Sequence, residues 1–246
     1  MEKERQFDNF DGFAKGYRKT HNKAIKISGA DSDYFSEYKI IELLKFEDFN
    51  QQLKILDFGC GDGNSVVFLR KHFPNASIVG VDVSEKSITI SKNKDITNST
   101  FTVFNGIKLP FKKQEFDIVF TAMVFHHIAH QFHNQVLADI VRVLKMGGRF
   151  YNFEHNPLNP FTRKVVRECE FDKDAVLLKP SYHRNLIINS GLTSLLVNYT
   201  LFFPRHKIFK IFLGLEKLLS WCPIGAQYYV RAVKMYEGEG ERERDK

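Results

Sequence analysis

Cysteine is scarce in this 246-residue chain: Cys60, Cys169 and Cys222, with no C-x-x-C pair. That excludes a disulfide framework or a cysteine-based zinc motif and fits a reducing compartment. Long apolar runs are also missing. The most apolar late stretch, 208–219, is broken by Lys210, Glu216 and Lys217, too short and too charged to span a bilayer. Residues 1–10 mix charges without an apolar centre, so no secretory signal is expected and the expected location is cytoplasmic. Internal repeats and Pro/Gly/Ser-rich linkers are absent, which argues against two independent domains. Lys and Arg outnumber Asp and Glu by 36 to 29, giving +7. These cations are scattered, with short exceptions at Arg18-Lys19 and Lys112-Lys113. A nucleic-acid binder would concentrate them in a stripe, so no nucleic-acid partner is expected.

What is present is an ordinary globular composition, 43% hydrophobic and 26% charged, with phenylalanine in unusual excess at 24 residues against a single Trp. The chain is long enough to bury a sizeable core without covalent staples. Apolar spacing predicts a helix over 35–49, carried by Phe35, Tyr38, Ile41 and Leu44. It then predicts a strand at 54–58, a helix at 64–72, a strand at 77–83 and a helix at 84–92 with Ser84 as N-cap. Strands follow at 101–104 and 116–121. A helix over 131–144, stopped by Gly147-Gly148, precedes a strand at 149–153. Beyond it come a helix at 182–190, a strand at 195–203, an amphipathic helix at 206–220 and a strand at 227–233. Residues 237–246 read as a solvated, disordered tail. Strands alternating with helices imply a mostly parallel sheet covered on both faces.

The sharpest local feature is Asp57-Phe58-Gly59-Cys60-Gly61-Asp62-Gly63, where a buried strand turns into a helix through three alternate glycines. Glycine permits positive φ and lets a ligand approach the backbone. Asp82 ends the next strand, where an acid can accept hydrogen bonds from ribose hydroxyls. The spacing G-x-G-x-G differs from the G-x-G-x-x-G of dinucleotide binders. Asp57 would repel a pyrophosphate and suits a ligand with an ammonium group. S-adenosylmethionine (SAM) has an ammonium, a sulfonium and an adenosine, and no phosphate. The plain alternative is a βα turn in which Asp57 and Asp82 only cap helices.

These residues resemble the class I SAM-dependent methyltransferases. Residues 55–63 resemble the first motif and Val79-Gly80-Val81-Asp82-Val83-Ser84 the second. Asn105-Gly106-Ile107-Lys108-Leu109-Pro110-Phe111 resembles G-D-A-x-x-L-P-F, with Asn105 replacing the adenine-contacting acid; an amide oxygen can still accept that bond. Phe116-Asp117-Ile118-Val119 with Phe125-His126-His127-Ile128 resembles the fourth-strand motif. Leu144-Lys145-Met146-Gly147-Gly148-Arg149-Phe150 resembles L-K-P-G-G-x-F. The leader Phe7-Asp8…Gly12-Phe13-Ala14…Tyr17 is similar to one that folds over the cofactor in small-molecule members. The resemblance implies an α/β, Rossmann-like fold with a mostly parallel seven-stranded sheet, helices on both faces and a small cap at the two termini. It implies one domain over 1–236: a lid (1–34), a SAM-binding core (35–155) and a substrate side (156–236). The implied cofactor residues are Tyr17, Asp57, Gly59, Gly61, Asp82, Val83, Asn105, Gly106 and Thr121. Segments at 28–35, 154–163 and 225–229 resemble a bacterial subgroup associated with cell-surface polysaccharide or sugar modification, an analogy of fold rather than of site.

In such a sheet, ligands meet beyond the carboxyl ends of the strands. An oxygen nucleophile gains from a general base. His126, Glu154 and His155 are the catalytic candidates, with loop organisation or turn capping as their structural alternative. Tyr17 and Tyr34 are candidate lid residues. The fourth strand ends in Thr121-Ala122-Met123-Val124, unlike the N-P-P-Y of amino-methylating DNA enzymes. The carboxylate cluster of metal-dependent catechol enzymes is not found, and no metal is expected. The expected function is methyl transfer from SAM to a small-molecule acceptor, an oxygen of a sugar or glycan precursor. The alternatives are a lipid or quinone-like acceptor at a membrane surface, contacted through 206–221, and a SAM-binding protein without catalysis. The 206–220 helix is expected to pack on the core, as apolar stripes usually do.

Overall fold

A computed structural model describes residues 10–12, 22, 25, 28–172 and 175–235. Tyr17, most of the expected lid and the 237–246 tail lie outside the described residues.

Seven strands form one sheet: β1 (Lys54–Phe58), β2 (Ser77–Asp82), β3 (Ser99–Val103), β4 (Phe116–Ala122), β5 (Leu144–His155), β6 (Thr193–Thr200) and β7 (Gln227–Val233). Their order is β3-β2-β1-β4-β5-β7-β6. The first five run parallel; β7 is antiparallel to both β5 and β6. Among the described residues, six α-helices of eight residues or more accompany them: α1 (Ser32–Leu43), α2 (Asn64–His72), α3 (Glu85–Lys92), α4 (His133–Val143), α5 (Pro160–Glu168) and α6 (Pro180–Asn189). The Rossmann-like expectation is met.

The period of two along each strand divides the core into two layers. Leu56, Val79, Val119 and Phe150 face one side, where α4 supplies Val136, Leu137 and Ile140 and α6 supplies Leu186 and Ile187. Their neighbours Ile55, Ile78, Ile118 and Tyr151 face the other, against Ile40 and Leu43 of α1 and Val66 and Leu69 of α2. Phenylalanine fills both layers: Phe58, Phe73, Phe116, Phe120, Phe125, Phe150 and Phe153 are all fully buried or nearly so. Because β2 and β4 flank β1 on opposite sides, the chain reverses direction across the sheet there and leaves a crevice beyond the strand ends.

Three local expectations need correction. The helix expected to stop at Gly147-Gly148 ends at Val143, and β5 begins immediately at Leu144. The glycines instead lie within β5, where Gly147 has φ 74 and its N–H donates to Lys234 O at 2.6 Å. The register against β4 jumps there, from Phe116↔Leu144 to Ile118↔Arg149, so these residues make a bulge rather than a helix stop. Helix α5 was not anticipated, although its start has a readable signal: Asn159 accepts from Thr162 N at 3.0 Å, and Pro160 occupies the first turn. Finally, the 206–220 helix is a 3₁₀-helix over Lys207–Leu218 that leaves much of its apolar face exposed. Ile211, Leu218 and Trp221 are 79%, 70% and 74% exposed. Among the described residues, no helix is long and apolar enough to cross a membrane.

Candidate active site

The crevice opens into a cavity of about 700 Å³, within the range of small-molecule sites. One wall is the glycine loop. Leaving β1, the chain anchors itself on β2: Gly59 N and Cys60 N both donate to Val81 O, at 2.8 and 2.9 Å. Gly59 has φ 76, and a Cβ there would stand 2.4 Å from Val124 Cγ2, so packing demands glycine. Gly61 has φ 52 but faces open space, with nothing within 4 Å of where a Cβ would be. Its N–H donates to Asp82 Oδ2 at 2.8 Å, while Ser84 N donates to Asp82 Oδ1 at 2.9 Å. Asp82 is thereby fixed at both oxygens and keeps lone pairs for a ligand. Burial raises its pKa, opposed by these backbone donors.

Asp57 lies in β1 behind this loop, 2% exposed, and its Oδ2 has no hydrogen-bond partner. Burial, aided by the nearby Asp82 charge, pushes its pKa up to about 8. Asp57 does not itself line the cavity, but a buried carboxyl oxygen without a partner lacks a cation or a donor.

Of the sequence-nominated cofactor residues, Gly59, Gly61, Asp82, Val83 and Gly106 line the cavity. Asn105 turns its side chain to its own loop, accepting from Ile107 N at 3.1 Å and Lys108 N at 2.8 Å. Thr121 is fully buried in β4, its Oγ1 unpartnered. At that strand end the wall is Ala122, Met123 and Val124 instead. Met123 sits at φ 60, an uncommon backbone for a non-glycine residue and a mark of functional sites.

At the other end of the cavity the three catalytic candidates come together. The buried Glu154 accepts from Phe125 N at 3.0 Å and faces His126 Nδ1 at 2.5 Å. Burial works against charge on His126, but Glu154 and Asp172 outweigh it and hold its pKa up, at about 10. His155 lies beside His126 with ring centroids 5.4 Å apart and planes tilted by 47°. Burial drops its pKa to about 4, leaving a neutral imidazole. Only His155 of the three lines the cavity; Glu154 and His126 lie behind it.

Sequence reasoning missed Lys39. It falls on the inner face of α1, 6% exposed, lines the cavity and donates to Phe35 O at 3.1 Å. Burial lowers its pKa to about 8, against the attraction of Glu154. A lone lysine within a helical pattern carries no local signal of this. Tyr34 packs under Arg205, whose guanidinium carbon is 5.3 Å from the ring centroid, and does not line the cavity.

This donor set fits SAM. Gly61 leaves free the volume that a Cβ would fill, Asp82 offers a fixed acceptor for vicinal hydroxyls, and the orphaned Asp57 oxygen suits an ammonium. Beside the loop, Lys94 pairs with Asp62 at 3.2 Å.

Comparison with known proteins agrees. The methyltransferase-domain family matches residues 55–148. An uncharacterized methyltransferase of Synechocystis sp. is 33% identical over 107 residues, 43% of this chain and 49% of that protein. The demethylmenaquinone methyltransferase of Thermotoga maritima is 32% identical over 114 residues, 46% and 48% of the two chains. The chain thus spans about half the length of these two relatives. Among solved structures, the putative methyltransferase of Haloferax volcanii, in complex with the Trm112 methyltransferase activator, superposes with a TM-score of 0.67. It covers 93% of this chain and 99% of its own at 19% identity, a likeness of fold. Motif order, strand order, loop geometry and family match converge on one segment: residues 55–148 match the methyltransferase-domain family, within a chain that has the Rossmann-like fold of SAM-dependent methyltransferases.

Proposed function

We propose that this protein transfers a methyl group from SAM to an oxygen of a small-molecule acceptor, a sugar or glycan precursor. The observation that carries the reading is Asp82, clamped by Gly61 N and Ser84 N at the wall of the cavity beside an open Gly61. SAM supplies an already activated methyl group, so the residues need mainly to position and to manage a proton. Asp82 accepts from the ribose hydroxyls, Gly61 allows close approach and Asp57 answers the ammonium. His155 takes the proton of the acceptor hydroxyl as the new C–O bond forms and the S–C bond breaks, leaving a neutral thioether. Lys39 and Lys164 on the cavity wall suit an acceptor with an anionic part. The three cysteines are all free, which fits the cytoplasm.

A second reading has its own support. Phe161, Ile211, Leu218, Trp221 and Ile224 are each more than 60% exposed. Asn159 Nδ2 donates to Ile224 O at 2.6 Å, joining α5 to this apolar surface beside the cavity. Such a surface suits an acceptor presented by a membrane, a lipid or quinone. Release of S-adenosylhomocysteine, followed with sugar nucleotides in solution and with lipids or quinones in vesicles, separates the readings. Turnover with the first set supports the sugar reading, turnover only with vesicles the membrane reading. SAM binding without turnover in either leaves a non-catalytic binder.

A further inference from the structure

Two short 3₁₀ turns from distant parts of the chain meet beside the cavity. Phe125–His127 follows β4, and Glu170–Asp172 follows α5. They bring His126, His127 and Asp172 together, with one ligand atom from each lying within 4.8 Å of the others.

The state of His126 is set by its surroundings. Nδ1 faces Glu154 Oε2 at 2.5 Å, and an ionised carboxylate only accepts, so Nδ1 carries a proton and donates it. Glu154 is itself held by Phe125 N. The remaining nitrogen, Nε2, is buried and has no hydrogen-bond partner. It points into the cluster, 3.6 Å from Asp172 Oδ1. His127 Nε2 lies 3.3 Å from the same oxygen. Both spacings exceed the roughly 2.7–2.9 Å of a charge-assisted hydrogen bond. They match ligand-to-ligand spacing around a tetrahedral metal, about 3.3 Å for bonds of roughly 2.0–2.1 Å. A carboxylate that locks the far nitrogen of a histidine is also the usual outer partner of a metal-bound imidazole.

We propose that His126, His127 and Asp172 form a binding site for a divalent transition-metal ion of the zinc type. Two imidazoles and one carboxylate favour zinc, cobalt or ferrous iron over magnesium or calcium. Three protein ligands leave a position open, the pattern of working rather than purely structural zinc sites. His127 and His155 line the cavity, so the ion stands at its wall. There it can polarise an acceptor oxygen, a role that rests on the methyl-transfer reading; the site itself does not.

The test uses the full chain without SAM or acceptor. After treatment with chelator and dialysis against zinc, wild-type protein retains one equivalent of zinc, and Co²⁺ gives a ligand-field spectrum. Asp172→Asn and His127→Ala lose that equivalent, and Glu154→Gln weakens it about 10- to 100-fold. Nitrogen NMR of the wild-type histidines keeps the test valid if a variant misfolds, since zinc must shift His126 Nε2 and leave Nδ1 protonated. Retention of zinc by folded Asp172→Asn and His127→Ala overturns the proposal. So does a His126 that stays protonated on both nitrogens in excess zinc. Because metal binding is read directly, its failure leaves the methyl-transfer reading standing, and inactivity of a zinc-loaded protein leaves the metal site standing.

Discussion

The two ends of the cavity are built by different means. At the proposed cofactor end, backbone amides of a βα turn fix one carboxylate, and Gly61 leaves open the space a side chain would take. At the proposed acceptor end, side chains from β5, α1, α5 and the 3₁₀ turn after β4 converge, with Glu154, His126 and Lys39 buried and His155 half-buried beside them. A backbone-built wall is the same for any ligand with the right shape and charge. A side-chain-built wall can change its chemistry one residue at a time. This division suits an enzyme that holds one cofactor and selects one acceptor.

The division is open to test. The largest effect is expected at the cofactor end: Asp82→Ala removes charge-assisted hydrogen bonds worth about 1.5–3 kcal/mol each. Calorimetry should show SAM affinity falling about a hundredfold or more, and unchanged affinity would show the ribose role to be wrong. At the acceptor end, His155→Gln should leave SAM affinity within about twofold and lower kcat about a hundredfold, in the range of lost acid–base assistance. An equal fall in both quantities would mean that the two ends do not work separately.

A smaller effect concerns pH. The Asp57 carboxyl moves from an unfolded value near 3.9 to about 8 in the fold, because burial favours its protonated form. Between those values the folded state holds a proton that the unfolded chain has lost. The associated stability is present below about pH 4 and disappears as pH rises through about 8. Urea unfolding of the SAM-free protein between pH 5 and 8 should therefore show a decline that Asp57→Asn flattens. Parallel declines in the two proteins would mean that Asp57 is already ionised. The smallest effect belongs to the outer surface: Leu218→Ser with Trp221→Ser should alter stability by no more than about 0.5 kcal/mol per site. Under the membrane reading it should still reduce vesicle co-sedimentation, and unaltered co-sedimentation counts against that reading.

The same division explains what was legible in the sequence. The limits of β1, α2 and β7 could be read to the residue because strand periodicity, turn glycines and helix length are local signals. Asp82 was legible through its fixed distance from the glycine loop. Lys39 was not, since only tertiary packing takes a helical lysine out of water. Asp172 escaped because it lies 45 positions after His127, on a turn that gains meaning only beside β4. The glycines at 147–148 misled for a related reason: glycine marks both a helix end and a strand bulge, and the pairing with β4 and β7 decided between them. The exposed face of 207–218 reversed the expectation from its apolar spacing, because periodicity names a face without naming what covers it.

The position of β7 has a consequence for the order in which the fold can be made. This strand is the last of the seven in chain order, yet it lies between β5 and β6 and forms both of their antiparallel ladders. Until residues 227–233 arrive, β5 presents a bare edge and β6 has no place in the sheet. A nascent chain stalled in that interval exposes the strand that carries Glu154 and His155, a ready template for pairing with another chain. The acceptor end of the cavity is thus the last part to be assembled, and a chaperone dependence confined to late synthesis would register there first.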